Sequence, residues 1–162
     1  MAGNERFDLI VVGSGPGGYV AAIRAAQLGM KVACVETEKL GGVCLNIGCI
    51  PTKAMLTSAL LVSEMKEAEA HGITAKDLSF DLGPAQQRSR RVADQMNKGI
   101  AHLFKKNKVA HIQGFGRLKG KGKVEVEDDD GKKTVYEGDN VILATGSHDE
   151  EGLGGAGAIG ME

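Results

Sequence analysis

The sequence predicts an α/β fold with a central parallel sheet, flanking helices and a small β-meander. Three stretches predict it. Phe7-Asp-Leu-Ile-Val-Val12 is a short, β-branched apolar run, the pattern of a strand buried on both faces. Gly13-Ser-Gly-Pro-Gly-Gly18 follows directly and leads into an alanine-rich helix, Tyr19 to Leu28, which Gly29 ends. Lys31-Val-Ala-Cys-Val35 is then a second strand, with Glu36 at its end. A strand, helix and strand in that order pair in parallel, because only a crossover joins them.

The remaining elements follow in order. Pro51 lacks a backbone donor and is expected to kink or restart a helix. Met55, Leu56, Ala59, Leu60 and Val62 to Met65 continue that helix as an amphipathic run, and Gly72 stops it. Residues 72–83 read as a loop. Pro84 to Lys108 carries a helix with Val92, Met96, Ile100, Leu103 and Phe104 on one stripe. Arg88, Arg90, Arg91, Lys105 and Lys106 are assigned to its solvated face with no binding role. Val109 to Phe115 is expected as a parallel strand. Lys123–Glu127 and Lys133–Glu137 flank Asp130-Gly131, a hairpin signal. Asn140 to Thr145 is a further buried strand, ending in Gly146-Ser147.

Two stretches carry chemistry. In the first, Gly13, Gly15 and Gly18 lie between strand and helix, and an acid, Glu36, stands roughly 20 residues on, which completes a dinucleotide-binding fingerprint. Gly13 turns the chain, Gly15 lets a pyrophosphate touch the backbone, and Gly18 lets helix pack on strand. The helix N-terminus favours the phosphate charge, and Glu36 can accept from ribose hydroxyls. A glycine-rich turn without a ligand is the bland alternative.

The second stretch is Gly41-Gly-Val-Cys-Leu-Asn-Ile-Gly-Cys-Ile-Pro-Thr-Lys53. On one regular helix Cys44 and Cys49 would point about 140° apart, so the backbone between them must be distorted, and Gly48 makes that cheap. A zinc pair is disfavoured because no second Cys/His pair stands at ligand spacing. Two thiols brought close beside a lysine suit a reversible dithiol/disulfide, since positive charge lowers a thiol pKa. Cys34, inside the second strand, reads as a small core residue.

This thirteen-residue segment resembles the redox-disulfide signature of FAD-dependent pyridine-nucleotide disulfide oxidoreductases. Leu45 and Ile47 favour the dihydrolipoamide dehydrogenase branch, since glutathione and mercuric reductases more usually carry valines there. The similarity runs from about Phe7 to Ser147 and implies a Rossmann-like FAD-binding domain over residues 1–147. It implies Cys44 as the thiol exchanging with a lipoamide-type dithiol substrate and Cys49 as the thiol against the flavin. Gly13, Gly15, Pro16, Gly17, Gly18 and Glu36 would hold FAD, together with Gly42, Val43 and Cys44. Lys53 would approach the flavin N5. Gly116 would lie near the adenosine end, and Thr145, Gly146 and Ser147 would form a second FAD-contacting segment. NAD belongs to the complete family enzyme, whose NAD domain and dimer-interface domain with its catalytic His–Glu pair are expected to be absent here, and a homo-oligomer stands open as a partner.

Residues 148–162 read as a tail. They include Gly155-Ala-Gly-Ala-Ile-Gly160, a second fingerprint with neither a preceding strand nor a following helix, and are expected to be a truncated or spliced remnant rather than a working NAD site, with a flexible engineered terminus as the alternative. His71, His102, His111 and His148 are expected in surface or structural roles.

Bulk properties narrow the function classes. Apolar residues make up 42% of the 162-residue chain, and with no Trp, two Tyr and four Phe the core must be aliphatic. Twenty basic and 21 acidic residues give a net charge of −1, which suggests neither nucleic acid nor an anionic membrane as partner. Three cysteines without a secretory signal suggest a reducing compartment, cytoplasmic or, for a mature form, the mitochondrial matrix. No apolar run is read as approaching the roughly 20 residues of a membrane span. Three functions stand open: an FAD and redox-disulfide domain unable to complete lipoamide/NAD turnover alone, an FAD/ADP-binding module without redox chemistry, and a structural fragment.

Overall fold

The computed structural model describes residues 5–74 and 77–147. The expectations for the tail, including its second fingerprint and His148, lie outside the described residues. The elements are β1 (Arg6–Val12), α1 (Pro16–Gln27), β2 (Val32–Glu36), α2 (Gly42–Asn46), α3 (Cys49–Glu67) and a 3₁₀ turn at Ala68–His71. They are followed by α4 (Leu82–Asn107), β3 (Ala110–Gln113), β4 (Phe115–Leu118), β5 (Lys123–Glu127) and β6 (Lys133–Leu143). One mixed sheet runs in the order β3-β2-β1-β6-β5-β4. Strands β3, β2, β1 and the second half of β6 are parallel, whereas β4, β5 and the first half of β6 form an antiparallel meander. The architecture is a Rossmann-like α/β domain.

The two faces of β1 and β2 build two cores because successive strand side chains alternate. Leu9, Val11, Val32 and Cys34 face α1 and α4, meeting Ala22, Ala25, Ile100 and Phe104. Phe7, Ile10, Val12, Ala33 and Val35 face the other way, against Val124 and Val126 of the meander. The helices thus cover one face of the parallel strands and the meander covers the other.

Several expected boundaries shift, each for a local reason. The expected strand Val109–Phe115 is broken at Gly114, whose φ of +141° turns the chain out of β3 and into β4. The expected strands 133–137 and 140–145 are one 11-residue strand. A Cβ at Gly138 would lie 2.9 Å from Ile10 Cγ1, so a glycine there lets β6 run close over β1 as it passes from meander to parallel sheet. Pro51 falls in the first turn of α3, where its missing N–H has no intrahelical partner to lose, so it sits where the helix restarts after Gly48 and introduces no kink.

The buried stripe of α4 is Ala85, Ser89, Ala93, Ile100 and Phe104, with Val92 half-buried and Met96 and Leu103 exposed. Large apolar residues suggested the wrong centre for this stripe, because small residues let α4 approach its neighbours closely. Arg88 and Arg90 are also more than solvated charge: Arg88 Nη1 donates to the Ala54 carbonyl at 2.9 Å, and Arg90 Nη1 to that of Asn46 at 3.2 Å.

The reading of the apolar runs is likewise corrected. The stretch Gly42–His71, 30 residues, is long and apolar enough by length and composition alone to cross a membrane. The chain remains helical on both sides of Gly48, which joins apolar segments that the sequence reading separated. Leu56, Leu60 and Leu61 of α3 are exposed.

Ile100→Ala is expected to destabilise the fold by about 2–5 kcal/mol, and Met96→Ala by no more than about 0.5 kcal/mol. Urea unfolding of the two variants compares these faces of α4, and equal losses would contradict the observed stripe.

Candidate functional site

The site is assembled where the parallel strands end. β1 runs into the glycine loop, β2 ends in Glu36, and β6 runs into residues 144–147, so three chain segments converge on the C-terminal edge of the sheet. In open α/β sheets that edge is where ligands generally bind.

Backbone proximity dictates the glycines. Gly13 has φ +99°, donates its N–H to the Val35 carbonyl at 2.8 Å, and would place a Cβ 2.2 Å from the Ala144 carbonyl oxygen. A Cβ on Gly18 would lie 1.9 Å from the Gly13 oxygen. These two residues are glycine because protein fills the space. Gly15 and Gly17 differ, since a Cβ on either would meet nothing within 4 Å. The space over Gly15 and Gly17 is open at the N-terminus of α1, where Pro16 opens the first turn and no side chain caps the free amides. An anion can approach the backbone there, as the pyrophosphate of a dinucleotide requires.

Glu36 supplies the polar end of this cradle. Its Oε2 accepts from the Ser14 N–H at 2.8 Å and from the Ser14 hydroxyl at 2.6 Å, and its Oε1 accepts from the Glu38 N–H at 3.0 Å. Burial opposes ionisation, but these hydrogen bonds outweigh it and hold the carboxyl below its ordinary range. Gly114 donates to the Glu36 carbonyl at 2.9 Å, and a Cβ on Gly116 would sit 3.0 Å from Val12 and 3.3 Å from Val35. Gly116 is therefore beside the ends of β1 and β2. Thr145 follows Ala144 and its backbone lies against Gly13, with Gly146 and Ser147 exposed beyond it.

The dithiol segment lies on the glycine loop. Gly42, at φ +58°, would put a Cβ 2.9 Å from the Gly15 Cα, so the two backbones are in contact. Cys44 belongs to α2 and Cys49 opens α3, while Gly48 breaks the helix between them, its N–H turned back onto the Val43 carbonyl at 2.7 Å. A Cβ at Gly48 would crowd that carbonyl at 3.1 Å. The break brings the thiols of Cys44 and Cys49 into a hydrogen bond, as free cysteines.

The Cys44 thiol is pushed up, first by that hydrogen bond, then by burial and by Cys49's charge, and Lys53 and the Cys49 amide only moderate the rise. The expected lowering by the lysine is thus outweighed at Cys44. Lys53 is exposed, one turn beyond Cys49, and Val43 is exposed beside the pair. Cys34 is fully buried, its Sγ 3.7 Å from the Gly13 carbonyl, and burial pushes its pKa up to about 12.

Three residues of the site escaped the sequence reading. Ser14 joins Glu36 to the dithiol segment but occupies a variable position of the glycine fingerprint. Asn46 donates to the Leu40 carbonyl at 3.0 Å and to that of Gly42 at 2.9 Å, which closes α2 onto its own approach. Asn97 also donates to the Leu40 carbonyl and ties α4 to the segment. Its signal was there: a polar residue spaced in register between Ala93 and Ile100. Among the described residues, no group of three or more His, Cys, Asp or Glu could hold a metal ion.

The pyridine nucleotide-disulphide oxidoreductase family profile matches residues 7–162. A dihydrolipoyl dehydrogenase of Zymomonas mobilis is 52% identical over 143 residues, covering 88% of this chain and 31% of that protein. A leghemoglobin reductase of Vigna unguiculata is 45% identical, covering 90% of this chain and 28% of the relative. A mitochondrial dihydrolipoyl dehydrogenase of Pisum sativum is 42% identical, with 90% and 30% covered. The chain spans about a third of the length of these curated relatives.

Two outcomes follow from the site's geometry. Iodoacetamide at pH 8 should label Cys44 and Cys49 in the folded protein and leave Cys34 unlabelled until denaturant is added, as read by peptide mapping. Glu36 has a lowered folded pKa, so its stabilising contribution is present above its ordinary value of 4.5 and is lost as pH falls through the folded value. Glu36→Gln should therefore lower the urea midpoint at pH 7, and the gap to the wild type should narrow at pH 3. A gap that widens on acidification would reverse that sign.

Proposed function

The chain belongs to the pyridine nucleotide-disulphide oxidoreductase family, and from that premise we propose that it forms an FAD-binding domain that presents a redox-active dithiol to its flavin. The observation that carries this reading is the contact of Gly42 with Gly15, which lays the dithiol segment directly on the dinucleotide loop.

The residues fit FAD in a specific way. The open backbone at Gly15 and Gly17, with Pro16 and the uncapped start of α1, would take the pyrophosphate, and Gly13 and Gly18 hold that turn in shape. Glu36 would accept from the ribose, with Gly116 beside it. Gly42, Val43 and Thr145 to Ser147 would line the way to the flavin ring. When bound, FAD supplies a two-electron acceptor beside the dithiol.

The chain's own residues do the thiol chemistry. Thiolate attack on a disulfide passes through a mixed disulfide, and the same exchange run from a dithiol donor leaves the donor oxidised and Cys44/Cys49 reduced. Two electrons and two protons move in that exchange. We assign Cys44 to the exchange with a dihydrolipoyl-type dithiol, the donor class named for two of the relatives. Cys49 takes the flavin side, which suits the more exposed thiol of the bare chain. Cys44 holds its proton against Cys49, and Lys53 offsets negative charge as the pair ionises. Lipoamide–NAD turnover is not expected from these 162 residues alone, since the relatives named for it are about three times as long.

The test combines flavin absorbance of the purified protein with thiol titration before and after dithionite. Bound flavin and a gain of two thiols are expected; flavin without the gain would leave a binding module, and neither would remove the reading. Gly15→Ala should leave stability within about 0.5 kcal/mol, because its Cβ meets no protein atom, yet weaken ADP and FAD binding more than tenfold. Unchanged affinity would move the dinucleotide elsewhere.

A further inference from the structure

We propose that Ser14 is a positioning residue, whose buried side chain couples Glu36 at the ribose end of the cradle to the start of the dithiol segment at Gly41. The inference rests on the FAD-domain reading above and adds a route by which occupancy of the loop is felt at Cys44.

The geometry is a three-way junction. Ser14 is fully buried, and both its backbone N–H and its hydroxyl donate to the same carboxylate oxygen, Glu36 Oε2, at 2.8 and 2.6 Å. Its hydroxyl oxygen accepts from the Gly41 N–H at 3.2 Å, a donor it shares with the Ser14 carbonyl at 3.0 Å. One hydroxyl therefore donates to the end of β2 and accepts from the residue that precedes α2. Gly41 has φ +95° and its carbonyl accepts from Leu45 at 3.4 Å, so a displacement of Gly41 is handed to the turn that carries Cys44.

The alternatives for this position are distinguishable by chemistry. A residue that merely fills space acts through volume, whereas a hydroxyl that both donates and accepts cannot be replaced by a methyl group. Because the Gly41 donor is shared, loss of the hydroxyl should act more strongly on Glu36 than on the dithiol segment.

Ser14→Thr and Ser14→Val are nearly equal in volume and differ in the hydroxyl, so their comparison isolates it. The full chain is used, with urea midpoints to establish that each variant folds; Ser14→Ala replaces Ser14→Val if the branched residues do not. ADP affinity and the rate of Cys44 alkylation with and without ADP are measured. The threonine variant should bind ADP within threefold of the wild type, and the valine variant at least tenfold more weakly, the order of one hydrogen bond to a charged group. Saturating ADP should alter Cys44 alkylation at least twofold in the wild type and threonine variant and leave it unchanged in the valine variant. Equal behaviour of threonine and valine in both measurements would overturn the proposal. If ADP binds no form, the wild type included, the dinucleotide reading fails by itself. Ser14 is then judged on the ligand-free alkylation rates: a twofold difference supports the coupling, and equality overturns it.

Discussion

The hydroxyl of Ser14 is the point at which the ends of three segments are held together. Buried polar groups are costly when unpaired, and here Ser14, Glu36 and Gly41 satisfy one another within a region that water does not reach at Ser14. The parallel sheet brings β1 and β2 side by side, but it does not by itself decide where the chain goes after Glu36. Hydrogen bonds with Ser14, Asn97 and Gln113 hold residues 37–41 back against the glycine loop and set α2 beside it. The dithiol segment is packed on the glycine loop as a consequence of that return.

Backbone contact sets a second constraint on the same region. Gly13 against Ala144, Gly18 against Gly13, and Gly42 against Gly15 each leave less space than a Cβ requires. Three glycine positions are thus explained by protein atoms. Gly15 and Gly17 are not, since the protein leaves room at both. At these two positions the backbone is open to an approaching group, whereas at Gly13 and Gly18 it is closed by the protein itself.

The dithiol depends on an interrupted helix. Had α2 and α3 been continuous, Cys44 and Cys49 would have pointed apart. The reversal at Gly48 sets one thiol at the end of one helix and the other at the start of the next, within hydrogen-bond reach. At that distance the partner thiol governs the ionisation of Cys44 more than the nearby lysine does.

The sequence by itself determined the βαβ unit, the fingerprint glycines, Glu36, the hairpin around Asp130-Gly131 and the kinship of the cysteine pair. These rest on local rules: strand and helix periods, glycine's freedom and fixed motif spacing act between residues close in the chain. Only the tertiary structure decided that residues 133–143 form one strand, that Gly114 divides β3 from β4, and that small residues centre the buried stripe of α4. It also decided the roles of Ser14, Asn46 and Asn97, and the direction in which Cys44 shifts. Each of those depends on a partner distant in sequence or on burial, such as Gly138 beneath Ile10 or Asn97 reaching Leu40. Hydrophobic size and pattern indicate that a residue can be buried, but which residues meet is settled by the approach of whole backbones to one another.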